Sequence, residues 1–190
     1  SKKILKKKLK GRRALERLYT WEDKASFKVF SSNNNMPKLI DIMKGSEPLI
    51  SSIEEIDGEY DFLNLQDNLF KTLRQNPDIE FTLFFPPISY FAHIKNGQEL
   101  FKKQMLMRRA LLKEVDGLAH VTVYGFDLWK NVPEVLSNYR DASHYNPQIS
   151  YRMAESMLSF DSIITHDKWL EYTEEYIKRI KAFKQSILVK

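Results

Sequence analysis

The sequence predicts an α/β fold with parallel strands, and three observations carry that expectation. From residue 59 onward the elements read helix, strand, helix, strand, helix, an order that calls for helical crossovers between parallel strands. The strongest strand signal, Phe81-Thr82-Leu83-Phe84-Phe85, is almost wholly apolar, as expected of a strand buried on both faces. The chain has 190 residues, 43% of them hydrophobic and 29% charged, enough for one domain with a real core.

The first element is a basic arm. Residues 1–13 hold eight Lys or Arg and no acid, while the rest of the chain holds 22 basic and 25 acidic side chains. The formal net charge of +5 therefore belongs to the arm, and the body does not read as a basic nucleic-acid-binding domain. Ile4, Leu5 and Leu9 share one helical face, extended by Leu15 and Leu18. Such a segment can lie on an anionic membrane surface or bind nucleic acid, or it can be a solvated helix with one packed face, the reading favoured here.

Residues 22–57 read as irregular structure or an insertion over a site. Phe27, Val29 and Phe30 form a weak third strand candidate, and Ser31 to Asn35 a polar loop. Pro37 opens a short helical pattern through Leu39, Ile40 and Met43, stopped at Gly45.

Residues 59–76 predict a helix with Tyr60, Leu63, Leu69, Phe70 and Leu73 on one face, ended by Asn76-Pro77. The strand from Ile79 to Phe85 follows and stops at Pro86-Pro87, which cannot continue a ladder. The stretch from Pro86 to His93 then reads as a loop at the strand's C-terminal end, where open α/β sheets bind ligands. Ser89, Tyr90 and His93 could line a pocket there.

Residues 98–116 predict a second helix with Leu100, Phe101, Met105, Leu111 and Leu112 inside. Lys102, Lys103, Arg108 and Arg109 read as its solvated face. Gly117 ends it before a strand from His120 to Tyr124 that runs on to Phe126-Asp127. Trp129 to Leu136 reads as a loop with a short helix. Residues 166–187 predict a helix that packs through Trp169, Tyr172, Tyr176, Ile180 and Phe183, with Thr165 or Asp167 as its cap.

The chemistry concentrates in Tyr139-Arg140-Asp141-Ala142-Ser143-His144-Tyr145-Asn146-Pro147. Asn146 can cap a following helix, Pro147 suits its first position, and Ile149, Met153, Met157 and Leu158 supply its apolar spacing up to Phe160. Asp141 and His144 then sit at a helix entrance within hydrogen-bonding reach. A carboxylate so placed fixes the imidazole tautomer and stabilises its protonated form, leaving the other ring nitrogen for a nucleophile. Asp, Ser and Asn before a helix are also ordinary turn and cap residues. A metal site of His144, Asp141 and His93 lacks a fixed third ligand, so no metal is expected.

Cysteine is absent, which excludes a disulfide framework, a thiolate nucleophile and a thiolate metal site. No apolar stretch approaches the length of a membrane span, and no signal peptide is read. The chain divides into a basic amphipathic segment at 1–21, the irregular segment at 22–57, an α/β core at 58–165 and a packing helix at 166–190.

Leu83-Phe84-Phe85-Pro86-Pro87-Ile88-Ser89, then a helix and a strand ending in Phe126-Asp127, then Asp141-x-x-His144, resembles the second half of SGNH (GDSL-like) hydrolases. Within that superfamily it is most similar to the cell-envelope branch related to polysaccharide O-acetyltransferases and esterases. The resemblance spans roughly residues 59–160. It implies a flavodoxin-like three-layer α/β/α sandwich with a parallel sheet, with His144 as general base, Asp141 orienting it, and no cofactor. Ser89, Tyr90 and Tyr145 become candidate substrate contacts. It further implies an acylated polysaccharide or other ester as substrate and a place in the cell envelope. No Gly-Asp-Ser turn and no Gly-x-Asn-Asp occurs, so the family's nucleophile and first strands are expected to be missing here. Three functions follow: a serine esterase or O-acyltransferase, whose attacking serine lies outside this chain or is a substitute such as Ser89; a non-catalytic module on the same scaffold that binds a glycan or another protein; or a membrane- or nucleic-acid-surface protein acting through its arm.

Overall fold

The computed structural model describes residues 36–47, 49–50, 52–58 and 62–189. The basic arm, the strand candidate near 27–30, the polar loop to Asn35 and Tyr60 lie outside them. Among the described residues the chain is mixed α/β, with six α-helices and a two-stranded parallel sheet.

Helix α1 spans Met36–Gly45 and buries Leu39 and Met43, as the spacing after Pro37 predicts. A single 3-10 turn, Ile53–Glu55, interrupts the irregular chain that follows, whose Leu49, Ile50 and Ile56 reach the core. The next helix starts at residue 63, runs as π-helix over Leu65–Phe70 and ends as α2, Lys71–Gln75. Phe70 and Leu73 are buried, but Leu63 is exposed, a correction to the predicted apolar face. The wider π turn shifts the register of every side chain before it relative to an α-helix.

Strand β1 is Phe81–Phe85 and strand β2 is Val121–Gly125, paired in parallel from Phe81 opposite Val121 to Phe85 opposite Gly125. The expectation that β1 is buried on both faces is corrected, because Thr82 and Phe84 are exposed. One side of β1 faces the main core, and on the other the Phe84 ring lies against Phe126, with ring centroids 6.3 Å apart. The outer edge of β2 is covered: Gly125 N–H donates to Ser162 O, and Ile164 N–H to Val123 O, each at 2.9 Å.

Pro86 to His93 is not all loop. Ser89 caps helix α3, Tyr90–Asn96, which carries Tyr90, Phe91, Ala92, His93 and Ile94 into the interior. Gly97 at φ 83° ends α3 and starts α4, Gln98–Val115, a left-handed position that favours glycine. On α4 the predicted division of faces holds for Phe101, Met105, Leu111 and Leu112, and fails for two residues: Leu100 is exposed, and Arg108 is buried.

Helix α5, Pro147–Leu158, starts as expected, with Asn146 Oδ1 accepting from Gln148 N–H and Pro147 in the first turn. It stops before Phe160 by a Schellman arrangement: Asp161 N–H donates to Ser156 O and Phe160 N–H to Met157 O. Phe160 then takes the left-handed φ of 57° that glycine usually fills. Leu158, expected on the apolar side, is exposed.

Helix α6, Trp169–Leu188, begins at Lys168 without a side-chain cap, so neither Thr165 nor Asp167 serves that role. Trp169, Tyr176, Ile177, Ile180 and Phe183 are buried along it, each contributing about 1.5–3 kcal/mol of transfer free energy as an upper estimate. Through them α6 packs on α1, α3 and α4. The sheet separates two apolar clusters. Val123 and Phe85 belong to the large core with α3, α4 and α6, whereas Tyr124 and Phe126 join Ile149 and Met153 of α5.

Candidate functional site

Asp141 and His144 lie on a hairpin closed by an antiparallel bridge between Tyr139 and Tyr145. Arg140 N–H donates to His144 O at 2.8 Å and Asn146 N–H to Asn138 O at 2.8 Å, which fixes the two ends of the turn. Inside it, Asp141 Oδ1 accepts from the N–H groups of Ser143 and His144, both at 2.9 Å. Asp141 Oδ2 is left for the ring of His144, whose Nδ1 is 2.7 Å away. Partial burial pushes the Asp141 carboxyl up, but those two backbone donors and the His144 ring outweigh it and hold the group below its ordinary value. The carboxylate thus stays charged and selects the Nδ1–H tautomer of His144. The His144 side chain is 73% exposed, and its Nε2 has no hydrogen-bond partner among the described residues.

The hairpin is tied to the C-terminal end of β1 at two points. The Tyr139 hydroxyl donates to Pro87 O at 2.5 Å, and the Ser89 hydroxyl donates to Ala142 O at 2.5 Å. Ser89 and Tyr90 are fully committed within the fold rather than facing an open pocket. Ser89 is wholly buried, and its oxygen also accepts from Ala92 N–H. Tyr90 donates to Asp127 O at 3.0 Å, and burial raises its phenol above the ordinary range. Tyr145, next to His144, is half-buried and packs against the Tyr124 and Phe126 cluster, and its phenol is likewise raised by burial.

Beneath these loops lies a buried polar cluster that the sequence reading missed. Asp127, two residues beyond β2, accepts both guanidinium nitrogens of Arg108, at 2.7 and 3.2 Å. Its oxygens also accept from the hydroxyls of Tyr172 and Tyr176, both at 3.0 Å. Both phenols are raised well above their ordinary value by burial first and by the Asp127 charge next, so they remain donors. Burial alone would push the Arg108 guanidinium down, but Asp127 reverses that and keeps it charged. Arg108 also stacks 4.6 Å from the Phe85 ring centroid. His93 Nε2 is 2.5 Å from the Tyr176 hydroxyl. With the Tyr176 proton directed at Asp127, His93 supplies the N–H of that contact and is neutral.

Two predictions arise from this cluster. An ideal Cβ on Gly125 would fall 2.6 Å from the Tyr172 hydroxyl. Gly125→Ala should therefore displace Tyr172 from Asp127 and lower stability by about 1–3 kcal/mol in urea melts. Combining it with Tyr172→Phe should cost less than the two single losses added, since they remove one contact; full additivity would refute the steric account. The second concerns pH. Burial first, and the Arg108 charge second, lower the His93 pKa from 6.5 to about 3. The folded state thus excludes a proton that the unfolded chain binds below ~6.5. The stability His93 supports is fully present above that value and is lost as pH falls toward about 3. Urea melts stepped through that window should show a slope that His93→Gln reduces; an unchanged slope would assign it to other groups.

No family model, curated protein or solved structure matches this chain. Asp141 and His144 are together as the sequence spacing predicts; His93 lies in the buried cluster, hydrogen-bonded to Tyr176. Among the described residues no three His, Asp or Glu side chains gather as a metal ion would require. Arg108 and Asp127 had only weak sequence signals: one Arg among four cations on a helix, and one Asp after a strand. Among the described residues, no helix is long and apolar enough to cross a membrane.

Proposed function

We propose that Asp141 and His144 are the orienting acid and general base of an acyl-transfer site of the SGNH type, in a serine esterase or O-acyltransferase. The observation that carries the reading is the 2.7 Å contact from His144 Nδ1 to Asp141 Oδ2, with Nε2 facing outward. The position supports it, because the dyad hairpin is fastened to the loop at the C-terminal end of a parallel strand, where such folds place ligands. Apolar clusters on both sides of the sheet fit the α/β/α sandwich that the resemblance implies. The substrate class, an acylated glycan of the cell envelope, rests on that resemblance.

In the reaction, His144 Nε2 takes the proton of a serine hydroxyl as it attacks an ester carbonyl, Asp141 stabilises the imidazolium, and that proton passes to the alcohol that leaves as the ester C–O bond breaks; water or an acceptor hydroxyl, deprotonated by the same nitrogen, then takes the acyl group from the serine. A second reading, a non-catalytic glycan- or protein-binding module, is favoured by one observation. Two serine hydroxyls at the hairpin are already hydrogen-bonded, Ser89 to Ala142 O and Ser143 to the dyad carboxylate of Asp141. Fluorophosphonate labelling with intact-mass analysis decides between them. One adduct that disappears in His144→Ala supports the acyl-transfer reading, and peptide mapping then names the nucleophile. No adduct on folded protein would sink it in favour of the binding module.

A further inference from the structure

We infer that Ser89 is a positioning residue for the Asp141–His144 dyad, locking its hairpin to the end of β1 through one buried hydroxyl. The inference rests on the dyad reading above and gives Ser89 a role other than nucleophile or substrate contact.

The Ser89 hydroxyl is held from two sides. Ser89 follows the Pro86-Pro87 stop of β1 and is the first fixed point of α3, with extended backbone at φ −61°, ψ 141°. Its side chain is wholly buried. A serine oxygen has one proton and two lone pairs. Here one lone pair accepts from Ala92 N–H at 3.3 Å, and the proton goes to Ala142 O at 2.5 Å. Capping the helix thus fixes the direction in which the proton points.

What that proton holds is the dyad's own turn. Ala142 is the residue between Asp141, which orients the ring, and Ser143, whose N–H fixes Asp141 Oδ1. Holding the Ala142 carbonyl sets the peptide plane on which Asp141 and Ser143 depend. The dyad itself is open to solvent, with 73% of the His144 side chain and 48% of the Asp141 side chain exposed. An exposed contact of this kind contributes little and is a weak hold on its own geometry against solvent. The turn's own backbone bonds are reinforced from beneath, where the buried Ser89 hydroxyl bonds to the stretch between the two dyad residues. The second tie, from Tyr139 to Pro87 O, reaches only the base of the hairpin.

The test reads the His144 ring and not the reaction. In protein with 15N-labelled histidine at alkaline pH, the ring nitrogen shifts report the tautomer. The parent should show His144 predominantly as Nδ1–H, the form that Asp141 accepts. Ser89→Ala should move it to the tautomer mixture measured in Asp141→Asn, and Ser89→Thr, which keeps the hydroxyl, should restore the parent signal. A folded Ser89→Ala with the parent tautomer would overturn the inference, and so would Ser89→Thr behaving as Ser89→Ala. If Ser89→Ala does not fold, Ser89→Cys, close in size but a much weaker donor, is read in the same way: a shift toward the Asp141→Asn mixture supports the lock, and the parent tautomer refutes it. Fluorophosphonate labelling stays separate: loss of the tautomer with no adduct in the parent upholds the positioning role and removes the hydrolase reading.

Discussion

Arg108→Ala should cost the protein about 3–5 kcal/mol of stability, the usual penalty when one partner of a buried ion pair is removed. The reason is the group left behind. Asp127 is wholly buried, and two tyrosine hydroxyls cannot replace the charge and the two donors of the guanidinium. The loss should appear in urea melts at neutral pH as a lower midpoint with little change in slope. Arg108→Met, paired with Asp127→Leu, should recover much of it, because apolar replacement of a whole buried pair is often nearly neutral. A cost below about 1 kcal/mol for Arg108→Ala would place the pair in solvent, contrary to its burial.

The second large effect is on rate. If the acyl-transfer reading holds, His144→Ala should lower ester turnover about 10²–10⁴-fold, the range of a positioned general base. Its melting curve should barely move, since the side chain is mostly exposed and its contact with Asp141 is worth little to folding. That contrast is diagnostic. Arg108→Ala acts through stability, and His144→Ala through chemistry alone. Asp141→Asn should fall between, because the asparagine amide can hold the turn but favours the wrong tautomer of His144. Equal ester turnover in parent and His144→Ala would remove the dyad from the chemistry.

Local patterns carried the sequence reading where local physics decides the structure. Asn146 and Pro147 start α5 as their side chains require, and the short spacing of Asp141 and His144 was enough to bring them into contact. The parallel order of β1 and β2 followed from the helix between them. The reading failed where a distant partner decides. Arg108 looked like its neighbours Lys102, Lys103 and Arg109, and it is Asp127, 19 residues away, together with the Phe85 and Tyr176 rings, that draws it inward. Ser89 looked like a loop residue because its partner, Ala142, is 53 positions further along. Phe160 looked like helix because no glycine marks the stop; the backbone there takes a glycine-like φ on a phenylalanine.

The buried carboxylate also imposes an order on synthesis. Asp127 and Arg108 leave the ribosome well before the hydroxyls that complete their shell, since Tyr172 is 45 and Tyr176 49 residues beyond Asp127. Until α6 emerges, the nascent chain holds a charge pair that lacks half its donors and a core that lacks Trp169, Tyr176, Ile180 and Phe183. A chain cut before Trp169 should therefore fail to close its core, with Asp127 short of the two tyrosine donors.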